Sequence, residues 1–152
     1  GVIYKGYHSD AARTHAVGEV TDEAKKLIEV TRQSFFEGIK FAKAGNHLND
    51  ISVAIQKYAE SFGFGVVRDL VGHGIGSHLH EDPEIPNFAR KRKGILLQPG
   101  MTLAIEPMIT EGSYEVVWLD DDWTVMTEDG GWAAHYENTI LITENEPEIL
   151  SL

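Results

Sequence analysis

Two stretches of helical periodicity precede a series of short alternating runs. Ala24, Leu27, Ile28, Thr31, Phe35, Ile39 and Ala42 recur at helical spacing and define one apolar face. Thr21 or Asp22 can cap the start of this helix, Glu23 sits near the positive end of its dipole, and Gly45 marks its end. A second helix is predicted from about Asn49, with Ile51, Ala54, Ile55, Tyr58, Ala59 and Phe62 on one face and Gly63 as its stop. Ahead of both, residues 1–4 and 7–14 flank Lys5-Gly6, the pattern of a hairpin. Beyond Phe64 the runs shorten to strands: 65–70, then a segment rich in glycine and histidine, then a loop holding Pro83 and Pro86. Residues 101–105 follow a Pro99-Gly100 turn, and 115–119, 123–127 and 132–143 in succession predict an antiparallel meander. Hairpin, helices and then strands predict an α+β fold rather than parallel βαβ units. A length of 152 residues suits one domain with a sizeable core.

Composition narrows the chemistry. Acidic residues number 24 against 13 basic ones, for a net charge of −11. That balance argues against nucleic acid as a partner, because phosphate contacts need a Lys and Arg surplus. The basic cluster Arg90-Lys91-Arg92-Lys93 reads as a solvated loop, or as a small patch for an acidic partner. The absence of cysteine excludes disulfides, thiolate metal sites and Cys nucleophiles. Any metal would be held by oxygen and imidazole, which suits hard or borderline divalent ions. No long apolar run resembles a membrane span and the start has no signal-peptide pattern, so a cytoplasmic protein without a membrane partner is expected.

The densest chemistry is Gly72-His73-Gly74-Ile75-Gly76-Ser77-His78-Leu79-His80-Glu81-Asp82-Pro83. It lacks both the dinucleotide fingerprint and the P-loop pattern, which sets nucleotide binding aside. Histidines serving as metal ligands or acid–base groups fit better. His78 is as readily an ordinary loop residue, and His8, His15 and His47 more readily so. In the run ending Leu103-Ala104-Ile105-Glu106-Pro107-Met108, alternation puts Thr102, Ala104 and Glu106 on one face. In Ala133-Ala134-His135-Tyr136-Glu137-Asn138-Thr139, His135, Glu137 and Thr139 share a face, and Asp10 enters the second strand of the hairpin. Each carboxylate alone could be a surface strand residue. Three of them in apolar strands, with a glycine-flanked histidine, match the ligand chemistry of two divalent cations bridged about 3.5–4 Å apart by carboxylates. Such a pair ionises a bound water near pH ~7. His80 is the candidate for a further neutral histidine that orients a substrate carbonyl or amide.

The ordered set G-H-G-I-G, H-E-D-P, I-E-P-M and Y-E-N-T resembles the type I methionine aminopeptidases, a family of pita-bread metallopeptidases, across essentially the whole chain. The resemblance implies a pita-bread fold and a two-metal hydrolase that removes the N-terminal methionine from nascent proteins. It implies that Asp10 and Glu137 bridge the two metals, that His73 ligates the first, and that Glu106 ligates the same metal and acts as general acid/base. His80 would contact the scissile peptide. Leu79, Met108 and Trp123 would line the pocket for the methionine side chain, with Leu79 departing from a commoner aromatic. The implied cofactors are two divalent ions drawn from Co, Mn, Fe, Ni or Zn.

The family uses five ligands, and its first aspartate lies further upstream than Gly1. Its N-terminal half carries another active-site histidine. Residues 1–152 are therefore expected to be the C-terminal portion of a single pita-bread catalytic domain, with the missing N-terminal segment as a partner. An initial Gly in place of Met fits that expectation. Such a portion is expected to bind at most one metal tightly and to be largely inactive in isolation. The short stretch between His80 and Glu106 argues against the helical insertion of type II enzymes. Three other readings stand beside this one: a proline-specific pita-bread peptidase, a non-catalytic pita-bread remnant acting as a binding module, and an all-β cupin suggested by His78-Leu79-His80 followed by Glu84.

Overall fold

The computed structural model describes residues 1–151. The hairpin forms as β1 (Val2–Tyr4) and β2 (Tyr7–Ser9). It turns at Lys5 and Gly6 with φ of 50° and 86°, a left-handed pair that favours glycine. After Asp10 the chain continues as β3 (Ala11–Arg13). Helix α1 spans Asp22–Ile39, with the Thr21 hydroxyl accepting from the Ala24 amide at 3.2 Å. It stops short of Gly45: past Ile39 the Phe41 and Ala42 amides make tighter three-residue turns to the Gly38 and Ile39 carbonyls at 3.0 Å, and the Ala44 and Gly45 amides donate to the carbonyls of Thr143 and Leu97 at 3.1 and 3.2 Å. Helix α2 spans Leu48–Glu60, and the Asp50 carboxylate accepts from the His47 amide at its start at 2.8 Å.

The main sheet is built from β4 (Gly65–Val66), β5 (Gly72–Gly74), β6 (Glu81–Ile85), β7 (Thr102–Ile105), β8 (Met108–Thr110) and β11 (Ala133–Leu141), joined by β3 and by β12 (Glu148–Ile149). The stretch around Pro83, read from sequence as loop, is strand β6. It lies at the sheet's edge, where a proline without an N–H interrupts no inner ladder. The predicted meander is also corrected. β9 (Val116–Trp118) and β10 (Val125–Thr127) form a separate two-stranded ribbon, while β11 pairs with β3, β7, β8 and β12. The ribbon is short and largely exposed. β11 is nine residues long with a buried second half, which is the pattern of an inner strand.

The two helices cover one face of this sheet. Phe35, Ile39, Leu48, Ile51 and Ile55 from the helices pack with Leu103, Ile105, Ile140 and Ile142 from β7 and the end of β11. A second cluster joins Leu27, Val30 and Ala59 to Val66, Ile109 and Ala134. Because side chains alternate across a strand, these core positions force Ala104, Glu106, Glu137 and Thr139 onto the opposite face. The helices exclude the all-β cupin. Among the described residues no helix is long and apolar enough to cross a membrane.

Candidate metal centre

The helix-free face of the sheet carries a grid of chemistry. Thr139 pairs with Ala104, which pairs on its other side with His73. Asp10 extends that row: its amide donates to Thr139 Oγ1 at 2.8 Å, and the Thr139 amide donates to its carbonyl at 3.1 Å. Two residues along, Glu137 pairs with Ala12. The Ile105–Asn138 and Met108–His135 pairs on either side set Glu106 opposite Glu137. Two residues further, His135 pairs with Met108 and is held by Thr14, whose hydroxyl accepts from the His135 amide at 2.8 Å and donates to its carbonyl at 3.0 Å. Period-two alternation along β11 thus delivers His135, Glu137 and Thr139 to one face, as the sequence predicts. The small residues Ala12 and Ala104 leave room among the larger ones.

The ligand atoms converge in two groups: Asp10, His73 and Glu137 in one, and Glu106, His135 and Glu137 in the other, each within 4.8 Å of one another. The His73 Nδ1–H donates to the Gly74 carbonyl at 2.8 Å, which fixes the tautomer and leaves Nε2 bare toward the group. That nitrogen is 3.5 Å from Glu106 Oε1, and His135 Nε2 is 3.5 Å from Glu106 Oε2. β5 can carry His73 into this position because its flanking residues have no side chain. A Cβ on Gly74 would lie 2.2 Å from the Asp82 carbonyl oxygen, so the bulged approach of β6 requires glycine there.

Facing carboxylates repel, and burial makes this worse. Glu137 is only 4% exposed. Burial, followed by the charges of Glu106 and Asp10, pushes its carboxyl up to about 8. Its Oε1 and the Nε2 of His135 are buried without a hydrogen-bond partner. Orphaned buried ligand atoms beside crowded negative charge are what a divalent cation would satisfy, so these residues fit one.

The other sequence candidates fall around this cluster. His80 is exposed, and its ring centroid lies 4.4 Å from that of His73 in an edge contact. Met108, with His135, Val67, Leu70, Val125 and Met126, lines a cavity of about 260 Å³ beside the cluster. Leu79 is half-buried and Trp123 is 86% exposed, and neither lines that cavity. His78 is a surface residue hydrogen-bonded to Glu81, and the exposed loop 90–93 keeps Arg90 within 3.5 Å of Glu84. His135, to which the resemblance assigns no role, falls in the second group. Alternation placed it on the face of Glu137, but nothing in one strand reveals that Glu106 lies across from it.

The sequence is 59% identical over 152 residues to a methionine aminopeptidase of Clostridium acetobutylicum, covering all of this chain and 61% of that relative. The chain thus spans about three fifths of the length of such relatives. The fold is similar to a methionine aminopeptidase of Thermotoga maritima, with a TM-score of 0.95 at 52% identity over 98% of this chain and 60% of that one. It is less similar to an Xaa-Pro dipeptidase of Bacillus anthracis, with a TM-score of 0.74 at 28% identity over 96% of this chain and 36% of that one. The architecture is the pita-bread fold of these peptidases. Residues 1–144 match the profile of metallopeptidase family M24, and the chain belongs to that family.

Proposed function

We propose that this chain forms the C-terminal portion of a catalytic domain that removes the N-terminal methionine from nascent peptides, using two divalent cations. The observation that carries the reading is the face shared by Asp10, His73, Glu106 and Glu137, in a sequence 59% identical to a methionine aminopeptidase. Asp10, His73, Glu106 and Glu137 would hold the cations, with His73 and Glu106 serving the first of them. Co, Mn, Fe, Ni and Zn all suit such oxygen and imidazole ligands. Bound there, the cations supply Lewis acidity and an ionisable water.

The chain's own residues do the rest. Glu106 takes the proton of the attacking water as the new C–O bond forms, and returns it to the departing amine as the C–N bond breaks. His80, beside His73 and outside both ligand groups, donates to the scissile carbonyl. Met108 presents a polarizable wall to an unbranched side chain. Leu79 and Trp123 belong to the wider substrate wall in this proposal. Turnover belongs to the whole domain, so residues 1–152 alone are expected to be largely inactive. The setting is the cytoplasm, where nascent peptides emerge.

The test grafts residues 1–152 onto the remaining segment of the Clostridium acetobutylicum relative and assays the metal-loaded chimera. Met-Ala-Ser and Met-Gly peptides should lose methionine, and Met-Lys and Met-Leu peptides should resist. Equal rates on both sets would contradict the methionine assignment. Preferential cleavage of Xaa-Pro dipeptides would favour the proline-specific reading, and no hydrolysis of any peptide would favour a binding role.

A further inference from the structure

We propose that Asn87 is a positioning residue for Glu106, holding the main chain that aims this carboxylate at the ligand group. The inference rests on the metal-centre reading above and leaves Glu106 beside His73, as assigned there.

Three observations carry it. First, Asn87 is fully buried, at 0% exposure, and its side-chain Nδ2 donates to the Glu106 backbone carbonyl at 3.0 Å. A carbonyl only accepts, so the Asn87 amide must present its NH₂ group there. Second, strand pairing does not supply this bond. β5 pairs with β7 as far as His73 opposite Ala104, and with β6 as far as Gly72 opposite Ile85. Glu106 lies beyond the first pair and Asn87 beyond the second, so the side chain spans the place where β5 has left the sheet. Third, Oδ1 of the same amide is buried with no hydrogen-bond partner. A buried amide kept only for stability would satisfy both of its ends, or give way to an apolar residue of the same shape. The orphaned acceptor is explained by what the donor does.

The main chain explains why one hydrogen bond matters here. Glu106 falls between β7 and β8 and belongs to neither strand. The Tyr136 amide donates to the Pro107 carbonyl at 3.2 Å, but Pro107 has no N–H to return. The peptide plane between Glu106 and Pro107 is therefore set largely by the Asn87 contact. Rotation of that plane swings the carboxylate, whose Oε1 lies 3.5 Å from His73 Nε2. Asn87 is itself presented from a fixed segment. The Ala89 and Arg90 amides donate to Gln56 Oε1 and Asn49 Oδ1 of α2, both at 2.7 Å. Helix α2, on the opposite face of the sheet, thus braces the site through Asn87, the kind of supporting shell a precise site requires.

The alternative is that Asn87 serves fold stability alone, and a double-mutant cycle separates the two. The protein used is the complete domain, with residues 1–152 grafted onto the remaining segment of the Clostridium acetobutylicum relative. Wild type, N87L, E106A and N87L/E106A are stripped of metal, checked for native near-ultraviolet circular dichroism, and titrated with Co²⁺ by calorimetry. Leucine keeps the shape of asparagine and removes the donor. N87L should weaken Co²⁺ binding by about 10–100-fold, the range for losing a group that orients a ligating carboxylate. In the E106A background the same change should alter affinity by less than about 3-fold, because the side chain it positions is gone. With saturating Co²⁺ and a Met-Ala-Ser peptide, N87L should lower kcat and leave KM nearly unchanged. If N87L does not fold, N87A carries the same cycle. Equal weakening of Co²⁺ binding in both backgrounds would overturn the proposal, as would unchanged affinity in N87L or a loss confined to KM. A wild type that takes up no Co²⁺ would overturn the metal-centre reading as well, and is thereby distinguished from failure of the Asn87 inference alone.

Discussion

Removing a site charge should make the metal-free protein more stable, and Glu137→Gln tests this. In the folded, metal-free chain the Glu137 carboxyl is raised from 4.5 to about 8 by burial and by Glu106 and Asp10, so the native state favours the neutral acid. In the unfolded chain the same group ionises at its ordinary value. Between about 4.5 and 8 the native state therefore binds the extra proton, and its stability falls as pH rises through that window. At about 1.36 kcal/mol per pH unit, the full gap corresponds to on the order of 5 kcal/mol. Glutamine keeps the shape and abolishes the charge. With metal removed by chelation, wild type and variant should have similar stability at pH 5. At pH 8.5 the variant should be more stable by a few kcal/mol, which for a domain of this size raises Tm by roughly 5–15 °C. Urea titrations from pH 5 to 9 read this directly. Saturating Mn²⁺ should reverse the order, because wild type regains stability by binding and the variant does not. Parallel pH profiles for the two proteins would refute the reasoning.

Other outcomes follow from the same geometry. In the complete domain, Glu106→Ala should lower kcat by orders of magnitude while circular dichroism stays native, and near wild-type turnover would remove Glu106 from the mechanism. His80→Ala should lower kcat by about 10²–10⁴-fold with metal stoichiometry unchanged, whereas loss of a bound cation by mass spectrometry would show that its role is ligation. Gly38→Ala should destabilise the helix pair by about 1–3 kcal/mol in urea, because the added Cβ would lie 2.6 Å from Ile55 Cγ1 in the core. An unchanged midpoint there would mean that α1 and α2 can move apart freely.

The helices were legible because their apolar residues keep one period for several turns, and the placement of Glu106 and Glu137 was legible because β7 and β11 alternate cleanly. The end of α1 was not, since the segment after Ile39 tightens into three-residue turns and then bonds Thr143 and Leu97, residues far along the chain. β6 hid behind Pro83, which forbids a strand only where an inner neighbour needs its N–H. The meander failed for a related reason: succession along the chain suggests neighbours, but the buried second half of β11 demands inner partners that the exposed ribbon cannot supply. That His135 lies against Glu106 was not legible, because neighbours across strands are set by register, and register is not written in either strand alone.

The clamp between Asp10 and Thr139 closes a loop of 129 positions. During synthesis, Asp10 leaves the ribosome well before the strand that orients it. The helices and the first hairpin can form as local structure while the site remains open. Non-local closures of this span come late and slowly, so cation capture is tied to the arrival of β11. A nascent chain stalled before residue 133 would present histidine and carboxylates without holding an ion, which delays the chemistry until the scaffold that confines it is in place.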